Sequence, residues 1–342
     1  MSETLGRVGV LGGGSWGTVL AHLAGLAGAE SVLWMRDAER ARELSEEHTN
    51  RRYLGDFQLS PRLRGTTSLA EAVQGADLVI FAVPSSATRA IAAEAGEFLT
   101  GDQSVLSATK GLEPKTFLPM SEVIRAETCA LKVGAVSGPN LAKEIVAGQP
   151  SATVVASHFV DVIRTGARLL HGDTFRVYGN RDLRGVELAG ALKNVIAIAS
   201  GLVSGMGFGH NVRAALVTRG LAEVQRLGVA LGADPLTFSG LAGIGDLLVT
   251  CGSELSRNFR VGVGISQGRS LEAICEDLGE VAEGINTTRV VRDLAAREGV
   301  VMPISEGVAR LLFDGEAPRD VMSDLMTRAA RYEIDFDYSA EV

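Results

Sequence analysis

The stretch "RVGVLGGGSWGTVLAHLAG" constrains this chain most. An apolar run from Arg7 to Leu11 leads into Gly12-x-Gly14-x-x-Gly17, and a helical pattern opens directly behind it. Glycines at that spacing permit a tight turn and let the main chain approach a pyrophosphate. The helix N-terminus adds free N–H groups and the positive end of a dipole. Alone, such a glycine pattern is a weak signal. Between a strand and a helix it has the context that dinucleotide binding requires.

The rest of the first half fits that start. Short β-rich runs at 7–11, 31–35, 77–83, 103–108, 132–137, 151–156 and 175–179 alternate with helical patterns. Continuous apolar strands separated by helices indicate a parallel sheet covered on both faces. After about residue 185 the strand signals stop. Helical patterns follow at 186–203, 210–232, 257–268, 270–278, 286–299, 303–314 and 318–328. The expected fold is α/β: a Rossmann-type, doubly wound, mainly parallel sheet over residues 1–185, then an all-α domain over 186–342. The final "DFDYSAEV" is expected to be a solvated acidic tail.

Composition narrows the function classes. At 342 residues, two domains are the natural division. A net charge of −8 and a pI near 5.3 argue against a general nucleic-acid or anionic-membrane surface, while leaving room for a local basic pocket. Cys129, Cys251 and Cys275 share no metal spacing and suggest a reducing compartment. The five histidines, His22, His48, His158, His171 and His210, form no ligand cluster, so no metal is expected. The first residues lack a signal-peptide pattern, and a cytoplasmic setting is expected.

Two lysines stand out. "VELAGALKNVIAIASGLV" is apolar, and polar residues interrupt it too often for a membrane span, so a buried core helix is expected. Yet it carries Lys193 near its middle. Such a lysine either snorkels to water or is held dry with a lowered pKa, and a dry lysine suits general acid–base work. Lys110, in "SATKGLE", follows a strand at the carboxyl end, where open α/β sheets bind ligands.

Other polar groups have two readings each. Asp246, in a glycine-rich turn, either caps a helix or orients Lys193 or a substrate hydroxyl. Ser256-Arg257-Asn258 opens a helical pattern and serves as a phosphate cradle or as simple capping. In "WMRD", Arg36 favours a cofactor with a 2′-phosphate and Asp37 keeps the 2′-hydroxyl form open, so NADP and NAD both remain. Val83-Pro84-Ser85 either lines the nicotinamide side or makes an ordinary capped turn.

Taken together, "GGGSWGTVLA", "NRRYL", "ATKGLE", "SGPNLAKEI", "VELAGALKNVIAIASGL", "RAALVTRGLAE" and "AGIGDLLVTC…SRNFRVG" closely resemble the bacterial-type NAD(P)-dependent glycerol-3-phosphate dehydrogenases. The match spans nearly the whole chain in order. The resemblance implies reduction of dihydroxyacetone phosphate to sn-glycerol 3-phosphate for phospholipid synthesis, with Lys193 as the proton acceptor in the reverse direction. It implies substrate contacts from Lys110, Gly138, Asn140, Lys193, Asp246, Ser256, Arg257 and Asn258. It implies cofactor contacts from Ser15, Trp16, Arg36, Lys110, Ala142, Arg257, Val281 and Glu283, beside Gly12, Gly14 and Gly17. Asn140 stands where the family often has threonine or serine, and Trp16 where another aromatic is common. Two rivals remain: a dehydrogenase of the same architecture for another hydroxyacid or phosphosugar, and a nicotinamide-binding sensor without turnover. A homodimer is the default assembly.

Overall fold

The structure is a computed structural model describing residues 5–328. The acidic tail "DFDYSAEV" lies outside the described residues. Eight strands form one sheet: β1 Arg7–Leu11, β2 Glu30–Trp34, β3 Leu63–Thr66, β4 Leu78–Phe81, β5 Ser104–Ser107, β6 Lys132–Ser137, β7 Ser151–Ala156 and β8 Phe175–Asn180. Their order is β3-β2-β1-β4-β5-β6-β7-β8. Neighbours run parallel except β6 and β7, which are antiparallel.

The two strands at the sheet centre, β4 and β5, are buried along their whole length because helices cover both faces. Val79, Ile80, Phe81, Val105 and Leu106 are fully buried. In register, Leu11 sits beside both Trp34 and Phe81, so the carboxyl ends of β1, β2 and β4 form one edge. From β1 the chain builds outward to β2 and β3, then returns to place β4 on the other side. That reversal opens a crevice beyond β1 and β4, the place where doubly wound sheets hold ligands.

β3 was not foreseen. Its "LRGT" has four residues, a charge and a glycine, and it lies at the sheet edge with only its two ends buried. Apolar periodicity cannot report so short and polar a strand.

The second half is helical. Helix Leu183–Gly205 starts three residues before the expected 186, because Asp182 caps it by accepting from the N–H of Gly185 at 2.9 Å. It is buried from Val186 through Val203. By length and composition it could cross a membrane, but its apolar window is wholly enclosed by protein. It is the axis of a second core that includes Val217, Val224, Val261, Val290 and Leu294 from the surrounding helices. Helix Arg257–Ser266 crosses it at close range. A Cβ at Gly201 would lie 1.9 Å from the Phe259 carbonyl oxygen, and one at Gly262 would lie 2.0 Å from that of Ile198.

The segment before this crossing differs from the expected turn. A short 3₁₀ turn, Pro235–Ser239, is followed by a π-turn at Leu241–Gly245 that runs straight into helix Asp246–Gly252. The glycines that hid this helix serve contact: a Cβ at Gly243 would lie 2.1 Å from the Phe238 carbonyl oxygen.

Candidate active site

The glycine loop has the shape its spacing implies. Gly12 has φ +128°, and a Cβ there would meet the Ala82 carbonyl oxygen at 2.4 Å. A Cβ on Gly17 would lie 2.0 Å from the carbonyl oxygen of Gly12. Gly14 is different, since nothing lies within 4 Å of where its Cβ would be. Helix Ser15–Leu26 begins there with no side-chain cap and no acidic residue in its first turn. Bare helix N–H groups under open space suit a diphosphate. Trp16 beside them has a buried indole nitrogen with no hydrogen-bond partner. These residues fit a dinucleotide.

At the end of β2, Arg36 is exposed and Asp37 is committed elsewhere. Asp37 caps helix Ala38–Glu46, accepting from the N–H groups of Glu39 and Arg40 at 3.1 and 3.2 Å, and from the Arg40 guanidinium at 2.9 Å. The Arg40 contact holds the Asp37 carboxyl below its usual range.

Beyond the strand ends, two lysines meet one carboxylate. Lys110 follows β5. Its ammonium donates to Asp246 Oδ2 at 2.7 Å and to the Gly138 carbonyl at 3.1 Å. Lys193, from the central helix, donates to Asp246 Oδ1 at 2.5 Å and to Thr250 Oγ1 at 2.5 Å. The Thr250 hydroxyl in turn donates to the Asp246 carbonyl at 2.6 Å. Asp246 is 1% exposed and Lys193 5%. Asp246 is therefore no cap; Gly245 holds that position.

Burial brings the Lys193 ammonium down from 10.5 to about 8. Asp246 opposes the change and the Lys110 charge adds to it. Lys193 can then give or take a proton near neutral pH. Cys251 lies beside it but is no nucleophile, because burial pushes its thiol up to about 12.

The expected phosphate cradle is only partly free. Ser256 caps helix Arg257–Ser266, accepting from the Phe259 N–H at 3.3 Å. The Asn258 amide donates to Asn194 Oδ1 at 2.9 Å and accepts from the Gly284 N–H at 2.9 Å, which places it against the neighbour of Lys193. Arg257 reaches Glu280 and the Val281 carbonyl, both at 3.0 Å. Asn140 is turned to β7, donating to the Ala152 carbonyl at 3.0 Å and accepting from the Thr153 hydroxyl at 2.9 Å. Ala142 opens the short helix Ala142–Val146, and Val281 is exposed. Glu283 accepts from the N–H of Ser85 at 2.9 Å and from its hydroxyl at 2.5 Å, tying the helical domain to helix Ser85–Gly96. Ser85 thus caps nothing with its own side chain; it is itself bound by a distant carboxylate.

Two site groups were missed. Thr250 lies four residues after Asp246, one turn along the same helix, and would have been found had that helix been read. Glu280, which bonds Ser15 and Arg257, carries no local signal at all.

The comparisons with known proteins agree over nearly the whole length. The model for the N-terminus of NAD-dependent glycerol-3-phosphate dehydrogenase matches residues 7–162, and that for its C-terminus matches residues 182–323. The chain belongs to the NAD-dependent glycerol-3-phosphate dehydrogenase family. It is therefore an NAD(P)-dependent oxidoreductase. The glycerol-3-phosphate dehydrogenase (NAD(P)+) of Acinetobacter baumannii strain SDF is 44% identical over 334 residues, covering 98% of this chain and 93% of the relative. That of Teredinibacter turnerae is 44% identical over 96% of this chain and 97% of its own length. The crystal structure of the Coxiella burnetii glycerol-3-phosphate dehydrogenase superposes with a TM-score of 0.90 at 34% identity, covering 94% of this chain and 99% of that one.

Proposed function

We propose that this dehydrogenase reduces dihydroxyacetone phosphate to sn-glycerol 3-phosphate, reversibly, at C2. The observation that carries the chemistry is the Asp246 carboxylate held between Lys110 and Lys193 at the carboxyl edge of the sheet. When bound, the reduced nicotinamide supplies a hydride. Lys193 gives the C2 oxygen its proton and recovers it in the oxidation direction. Lys110 presents a second positive group to the same oxygen, and Asp246 and Thr250 hold the Lys193 ammonium in place. Gly138, Asn140, Ser256, Arg257 and Asn258 complete the substrate's surroundings, with the phosphate set against the start of helix Arg257–Ser266.

The dinucleotide is held by Gly12, Gly14, Ser15, Trp16 and Gly17, with Lys110, Ala142, Arg257, Val281 and Glu283 around its reactive half. Arg36 meets a 2′-phosphate. Because Asp37 is spent on its helix cap and on Arg40, the preference is for NADPH, with NADH still accepted. The two domains divide near residue 185. The enzyme works in the cytoplasm as a homodimer and supplies glycerophospholipid synthesis.

The test is loss of reduced-nicotinamide absorbance with dihydroxyacetone phosphate, run with NADPH and NADH in parallel. Loss that needs the phosphorylated ketone and is faster with NADPH is expected. Equal loss with unphosphorylated ketones would overturn the substrate assignment, and faster loss with NADH would overturn the role of Arg36.

A further inference from the structure

Two helices begin at the crevice where the strand order reverses: Ser15–Leu26 after β1 and Ser85–Gly96 after β4. Both first residues are bonded by carboxylates of one short segment of the helical domain. Glu283 accepts from Ser85, and Glu280 accepts from the Ser15 hydroxyl at 3.2 Å. Between them, the Val281 carbonyl accepts from Arg257, whose same nitrogen also donates to Glu280 at 3.0 Å. Residues 280–283 therefore run as a strap across the mouth of the crevice.

Glu280 is the anion at the start of the glycine-loop helix. That helix has no acidic residue in its own first turn and no side-chain cap, so its positive end is met from 265 residues away. A diphosphate binding over Gly14 brings negative charge to the same end of the helix. Carboxylate and diphosphate repel at such separations, and both draw on the Ser15 hydroxyl and the Arg257 guanidinium.

We infer that Glu280 is an internal competitor of the cofactor diphosphate: it latches the strap to Ser15 and Arg257, and those bonds must be given up for the dinucleotide to bind. This rests on the cofactor reading above. It makes Glu280 a determinant of cofactor affinity that acts by withholding Arg257 and Ser15.

The decisive experiment compares the unmodified enzyme with Glu280→Gln by fluorescence titration. The probes are NADPH and adenosine 2′-monophosphate, which lacks the diphosphate. Glu280→Gln is expected to bind NADPH about two- to fivefold more tightly, the factor that a partly exposed ion pair carries, and to leave adenosine 2′-monophosphate unchanged. Unchanged or weaker NADPH binding by Glu280→Gln would overturn the latch, as would equal tightening for both probes, which marks a general charge effect. If the unmodified enzyme bound neither probe, the cofactor reading itself would fail and the latch with it.

Discussion

Glu187, on the central helix, and Asp246, on a helix packed against it, are both carboxylates closed off from water, and they face opposite company. Glu187 accepts from the N–H of Ser121 at 2.9 Å and from the Ser121 hydroxyl, at the first turn of helix Met120–Glu127. Its partners are dipoles, and burial pushes its carboxyl up to about 7. Glu223 repeats the arrangement at helix Pro303–Ala309, accepting from the N–H groups of Ile304 and Ser305 at 2.7 and 3.1 Å. Asp246 instead faces two ammonium groups, one on each oxygen. The difference teaches that a buried acid alone does not mark an active site. Dipoles alone make Glu187 and Glu223 remote caps that join helices. Two cations on one carboxylate bring two groups of like charge close together, and that adds to the burial that draws Lys193 toward neutral pH.

The largest expected effect lies at the lysines. Lys193→Ala should lower turnover by about a thousandfold, within the range of a lost general acid, while NADPH still binds. Stopped-flow assays beside cofactor titration check this. Turnover within about tenfold of the unmodified enzyme would end the distinction between Asp246 and the capping glutamates.

Asp246→Asn should come next. It leaves two ammonium groups near each other with no counter-charge, at a cost of about 3 kcal/mol in denaturant unfolding. Because Asp246 holds the Lys193 value up, its loss should also move the pH break of any residual turnover below 8.

The unmodified enzyme should show the same lysine in its pH profile. Reduction needs Lys193 protonated, so its rate should be level below pH 8 and fall above it. Oxidation needs the free amine and should rise through the same value. A level profile from pH 7 to 9 in both directions would remove Lys193 as the proton carrier.

The smallest effect belongs to Glu187→Gln. The folded state holds a proton on Glu187 between pH 4.5 and about 7 that the unfolded chain has already lost. Glu187 therefore contributes less stability as pH rises through that window. The amide should be neutral near pH 5 and stabilise by about 2 kcal/mol at pH 8. Thermal unfolding at the two pH values measures it, and turnover should be little changed.

Much of the fold, but not this contrast, was legible before folding. The glycine loop, the strand–helix alternation and the buried helix around Lys193 follow from spacing and periodicity, which are local properties. The failures were local too. β3 is too short and polar to show a period, and the glycines at 240, 243 and 245 read as a turn although they pack a π-turn into helix Asp246–Gly252. That second miss hid Thr250 and made Asp246 look like a loop residue.

The sequence by itself determined that a dinucleotide-type loop opens the chain, that the sheet precedes the helices and that Lys193 lies in an apolar helix. Only the tertiary structure decided what Lys193 faces. Asp246 is 53 residues from Lys193 and 136 from Lys110, and Glu280 reaches Ser15 across 265. Periodicity records which face of an element avoids water. It holds no information on which distant charge arrives at that face, because that depends on how sheet and helices pack, and the pKa of Lys193 depends on the charge that arrives.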